Sequence, residues 1–123
     1  MRYLTAEQII RINEVEVGPN LLADFGLVDA AAQRPMQSAF GQDAYPGIHE
    51  KAAALFHSLV KNHAFIDGNK RTAVVALGIF YLLNGWKLVA EQGQIVDLAL
   101  GVAEGTIDVS TLAGMLKDLS REA

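Results

Sequence analysis

The segment 70–84, "KRTAVVALGIFYLLN", constrains the fold more than any other part of the chain. After its first turn it is apolar nearly all round, the pattern of a helix enclosed by neighbours rather than one lying on a surface. At about 1.5 Å per residue it would be roughly 22 Å long, enough to cross a small domain. Asn84-Gly85 supplies a C-terminal stop. The apolar run Ala73–Leu83, with Gly78 inside it, is too short for a bilayer. It predicts a buried central helix, and such a helix needs others to cover it.

The remaining sequence supplies them. Thr5 with Gln8 has the form of a capping box and opens a first helix over about Ala6–Val15. The stretch "VGPNLLADFGLVD" reads as a connecting loop, and Asp29 is placed to cap a short helix over Ala30–Met36. Ile48, Ala52, Leu55, Phe56, Leu59 and Val60 fall on one face of a helix over Ile48–Asn62. "WKLVA" at 86–90 reads as briefly extended, a further helix spans Gln94–Ala103, and the last begins near Val109. The 123 residues, 51% of them apolar, are enough for one domain with its own core. The expectation is an all-α domain over 1–123, about six helices around a central buried helix.

Between the helix at 48–62 and the central one lies "HAFIDGNKRT", residues 63–72. A helix N-terminus leaves N–H groups without intrahelical partners and carries partial positive charge. Gly68 permits the positive φ of an anion-binding nest, and Lys70 and Arg71 add cations to the same place. These features suit phosphate. A bare carboxylate, Asp67, repels phosphate unless Mg²⁺ sits between them. His63 stands just before the turn, where an imidazole suits proton transfer near neutral pH. Taken singly, Asp67 is equally a helix cap, Gly68 a turn residue and Arg71 a solvated charge. Their gathering within nine positions favours a site.

A second irregular stretch, "QSAFGQDAYPG" at 37–47, reads as an ordered flap or else a mere connection. The formal net charge of −4 disfavours general nucleic-acid binding, so an anionic ligand needs a local cluster; Lys61, Lys70 and Arg71 against Asp67 form one. The absence of cysteine excludes disulfides and thiolate metal sites and is compatible with a reducing cytoplasm. The spacing of His49, His57 and His63 matches no zinc pattern. The N-terminal residues show no secretion signal and no membrane segment is expected.

The decapeptide resembles the signature of the Fic/Doc family, H-x-F-x-[DE]-[AG]-N-[GK]-R, with His63, Phe65, Asp67, Gly68, Asn69, Lys70 and Arg71 matching every specified position. The likeness runs over nearly the whole chain and is greatest to the death-on-curing branch. It implies a Fic/Doc fold using ATP with Mg²⁺ to modify a hydroxyl on a target protein. By position, His63 would be the general base, Asp67 the Mg²⁺ ligand, Gly68 and Asn69 the anion-binding turn, and Arg71 a phosphate ligand. The flap residues Phe40, Gly41, Gln42, Asp43, Ala44 and Tyr45 would dock an extended target segment.

Position 70 divides the family. Most members have glycine there and transfer AMP; the death-on-curing branch has lysine and is taken to transfer the γ-phosphate. Lys70 therefore implies a kinase acting on a Thr or Ser, with elongation factor Tu the leading target and translation inhibited. The alternatives are an AMP transferase and a non-catalytic phosphate-binding regulatory domain. The resemblance also implies a cytoplasmic protein. The family's inhibitory motif, [ST]-x-x-x-E-[GN], is missing, because Leu100 precedes Glu104-Gly105 where Ser or Thr is required. This implies a separate antitoxin, a disordered segment that folds on binding. The pattern admits alanine at 68, so the glycine there is expected to change little.

Overall fold

The computed structural model describes residues 1–123, the side chain of Gln92 excepted. Helix α1 spans Ala6–Glu16, and its predicted capping box is formed: Gln8 N–H donates to Thr5 Oγ1 (3.2 Å) and Thr5 N–H to Gln8 Oε1 (2.9 Å). Helix α2 spans Phe25–Gln33 and runs into a 3-10 turn at Arg34–Met36. A hairpin of β1 (Ser38–Ala39) and β2 (Gln42–Asp43) leads to α3 (Ile48–Lys61) and then α4 (Asn69–Leu83). After β3 (Trp86–Leu88) come α5 (Gln92–Glu104), α6 (Val109–Asp118) and β4 (Ser120–Glu122). Strands β3 and β4 pair antiparallel, Lys87 opposite Arg121, and close the far end of α4. The fold is all-α with two minimal strand pairs.

Helix α3 runs through the middle, packed against α2, the 3-10 turn, α4, α5 and α6. Leu55, Phe56, Leu59 and Val60 are buried on it, each contributing about 1.5–3 kcal/mol by leaving water. Helix α4 lies beside it and also touches α1, α5 and β3. Ala73, Ala76, Leu77, Phe80 and Tyr81 of α4 are buried, but Leu82 is 62% exposed. The centre expected at 70–84 is therefore held by the preceding helix, with α4 and α6 as its main partners.

The second helix begins earlier than expected. Asp24, not Asp29, is its cap, with Oδ1 accepting from Leu27 N–H (3.2 Å), while Asp29 accepts from Gln33 Nε2 (2.8 Å) one turn on. Pro35 has no N–H to continue an α-helix, so 34–36 tightens into the 3-10 turn. Elsewhere the expected boundaries hold within two residues, with Gly85 and Gly105 in the left-handed conformation where α4 and α5 stop.

Among the described residues, no helix is long and apolar enough to cross a membrane.

Candidate active site

The site is made where α3 ends and α4 begins. Asn62 closes α3 in helical conformation, and His63 follows at φ +50°, the left-handed position that glycine usually takes after a helix. That reversal leaves the imidazole exposed while Ala64 and Phe65 turn into the core. The connection 63–68 is stitched to the loop after α1: Ala23 and Asp24 N–H donate to the Ala64 carbonyl (2.9 and 3.1 Å), and Ile66 N–H to the Leu21 carbonyl (2.7 Å). Asn69 closes it from within, its side chain accepting from Phe65 N–H (3.1 Å) and donating to the Phe65 carbonyl (2.8 Å). The Asn69 amide is thus occupied in shaping the loop, and the residue presents only its backbone N–H forward.

Gly68, at φ +77°, is the N-cap of α4 and offers no side-chain acceptor to the first turn. Among the described residues, no protein group accepts from the N–H of Asn69, Lys70 or Arg71. These donors and the helix's partial positive charge face a cleft of about 280 Å³ lined by His63, Ile66, Asp67, Gly68, Asn69, Lys70, Arg71 and Val60. The expected base, carboxylate, turn and cations are therefore in one place. Lys61 does not line it; it lies near His57, which Arg34, Lys61 and above all burial hold below the usual imidazole range. Lys70 and Arg71 also line a neighbouring cleft of about 230 Å³, whose other walls are Glu16, Val74, Val75, Val96 and Ala99. Asp67 Oδ1 accepts from Gly68 N–H (2.8 Å) and the residue is exposed, so its second oxygen is free for a cation.

The flap at 37–47 is the β1–β2 hairpin. Its two-residue turn, Phe40-Gly41, has φ of +54° and +77°, the primed geometry that matches strand twist. Phe40 is fully exposed, and Gly41, Gln42 and Ala44 are exposed beside it. Asp43, although exposed, and the half-buried Tyr45 are tied to the body. Asp43 pairs with Lys51 Nζ (3.3 Å), a lysine only 3% exposed that also donates to the Pro35 carbonyl (3.1 Å). Tyr45 accepts at its hydroxyl from Arg34 Nε (3.1 Å), and Arg34 also bonds Ser58 and His57 of α3 (2.9 and 3.2 Å). None of the flap residues lines the cleft at His63. The hairpin is fixed to the same helix whose end carries the imidazole.

A sequence profile described as the Fic/DOC family matches residues 3–81. The chain is 40% identical to Toxin Doc of Mycolicibacterium smegmatis over 124 residues, covering 98% of this chain and 95% of that one. It is 28% identical to the Protein kinase doc of Escherichia phage P1 over 123 residues, covering 97% and 96%.

The chain belongs to the Fic/Doc family.

Two features of this Fic/Doc motif were not legible in its signature. The first is the surroundings of Gly68. A Cβ there would lie 2.2 Å from Val17 Cγ2 and 2.9 Å from Cγ1, and Val17 is β-branched and stiff. The alanine that the family pattern admits at this position is therefore not neutral in this chain. The second is Asn13 of α1, buried and bonded by Nδ2 to the Asp67 carbonyl (3.2 Å) and to Thr72 Oγ1 (3.0 Å). Its only trace in the sequence is an amide on the buried side of an amphipathic helix.

The residues present fit Mg²⁺ brought with a substrate better than a resident metal. Among the described residues there is no cluster of three or more potential ligands. A single carboxylate beside unpaired amide donors suits an ion that takes its remaining ligands from phosphate oxygens and water.

Proposed function

We propose that this Fic/Doc protein is a Doc-type toxin that transfers the γ-phosphate of ATP to a serine or threonine hydroxyl of a target protein. The observation that carries the reading is the single cleft holding the His63 imidazole, the Asp67 carboxylate, the unpaired N–H groups of Asn69–Arg71 and the two cations. In such a site the phosphate chain is held by amide donors, Lys70 and Arg71, and bound Mg²⁺ would supply charge neutralisation between Asp67 and the phosphates. His63 accepts the proton of the attacking hydroxyl. The hydroxyl oxygen forms the new bond to phosphorus as the bond to the β–γ bridging oxygen breaks, and ADP leaves. Catalysis of this type rests on positioning and charge rather than on a covalent enzyme intermediate.

Lys70 supports phosphoryl transfer over AMP transfer, since its side chain narrows the space an α-phosphate needs and its ammonium suits a terminal phosphate. The names borne by the two relatives, a toxin and a protein kinase, support the same reading. By the family resemblance the leading target is elongation factor Tu, with translation stopped, and the natural restraint is a separate antitoxin.

Purified protein with Mg²⁺, ATP labelled at either the α or the γ position, and elongation factor Tu tests the proposal. Label from the γ position on a target threonine or serine, lost in His63→Ala, is the expected result. Label from the α position selects AMP transfer instead. Nucleotide binding with no acceptor modified in a whole translation extract leaves a phosphate-binding regulatory domain.

A further inference from the structure

We infer that Asn13 is a positioning residue that sets the direction of the anion-binding turn from its buried side. It is 1% exposed, and its side-chain amide is spent on the motif rather than on its own helix: one bond to the Asp67 carbonyl (3.2 Å) and one to Thr72 Oγ1 (3.0 Å). These partners lie 54 and 59 residues away in sequence and bracket the first turn of α4.

The consequence follows from peptide geometry. The Asp67 carbonyl and the Gly68 N–H belong to one planar trans unit and point in opposite directions. An amide that draws the carbonyl inward turns the Gly68 N–H outward, and that N–H indeed meets the exposed Asp67 carboxylate (2.8 Å). With glycine at 68, φ alone does not choose between peptide orientations, so a tertiary contact must. The C-terminal turn of α1 completes the device. Val17 and Gly18 N–H both donate to the Asn13 carbonyl (2.9 and 3.2 Å), which seats the Val17 side chain against Gly68. Asn13 touches neither substrate nor metal; it acts through the peptide it holds.

The inference rests on the nucleotide reading above, and its test separates the two. Asn13→Leu removes the donor while keeping the branched shape of the side chain. Thr72→Val removes the same amide's other partner and leaves the bond to Asp67. Three readings are taken on each folded variant: affinity for Mg·ATP by calorimetry, hydrogen exchange of the Gly68 amide without ligand, and thermal unfolding. Asn13→Leu is expected to weaken Mg·ATP at least tenfold and to speed Gly68 exchange at least tenfold. Thr72→Val is expected to lower stability while keeping affinity within twofold. Asn13→Leu with native affinity and native Gly68 exchange overturns the inference. So does a parallel loss in both variants, which marks a merely structural role. If the unaltered protein binds no Mg·ATP, the nucleotide reading falls, and the exchange of Gly68 decides the clamp alone. If Asn13→Leu does not fold, Asn13→Asp, which keeps an acceptor for Thr72 but sets a carboxylate against the Asp67 carbonyl, is read the same way.

Discussion

Replacing Gly68 by alanine, alone and with Val17→Ala, tests how tightly α1 and the motif turn are fitted. Two costs arise in Gly68→Ala. An L-residue held at φ +77° loses about 1–2 kcal/mol against a right-handed conformation. The new Cβ would stand 2.2 Å from a Val17 methyl and 3.0 Å from its Cβ, an overpacking worth about 1–3 kcal/mol. Lower entropy of the unfolded chain returns about 0.4–1 kcal/mol. The net loss is about 1–4.5 kcal/mol, a large share of the roughly 5–15 kcal/mol that holds a domain together. Val17→Ala alone, at a half-buried position, costs about 1 kcal/mol. Once the valine methyls are gone the overpacking is relieved but the φ cost stays, so the two changes should couple by about 1–3 kcal/mol in a double-mutant cycle. Urea unfolding followed by circular dichroism measures all four corners. A cost under 1 kcal/mol for Gly68→Ala with no coupling refutes the close fit.

The remaining predictions concern strain and titration. His63 and Phe40 both sit at positive φ without burial, so His63→Gly and Phe40→Asn should each raise stability, by up to about 1 kcal/mol. His63→Gly should abolish transfer to the target and Phe40→Asn should raise the KM for it; unchanged activity with no gain in stability removes the case that these residues are kept for function. Burial and the Arg34 guanidinium hold His57 below 6.5, and burial does the same for His49. The unfolded chain therefore takes up protons first as pH falls, and stability is intact above about 6.5 and lost as pH drops toward the folded values. Thermal unfolding from pH 8 to 5 should show a falling midpoint below 6.5, shallower in His57→Gln; a flat or rising midpoint contradicts it.

The sequence carried the helices and the motif because their signals are local. A capping box, a glycine stop and an amphipathic stripe each fit within a few residues, and Thr5, Gly105 and the 48–61 stripe read correctly. The error at α2 has a tertiary origin. Asp24 and Asp29 are equally good caps in isolation, and the choice is made by the loop at 21–24, whose backbone is pinned to residues 64–66. Composition also concealed the true centre. Helix α3 carries the polar residues Lys51 and Ser58, both buried with partners, whereas α4 is more apolar but leaves Leu82 outside. The residues that line the cleft at His63 stand together in the sequence, but what holds them does not: Asn13, Val17, Arg34 and Lys51 act across the fold, and no spacing announces them.

On the proposed reading, the first turn of α4 holds a phosphate chain beside His63. Titrating Mg·ATP into uniformly ¹⁵N-labelled protein tests it most directly. The amide resonances of Gly68, Asn69, Lys70 and Arg71 and the His63 ring should shift together, in one saturable process that Arg71→Ala weakens. Saturable binding that leaves those amides unmoved, or no binding at all, contradicts it.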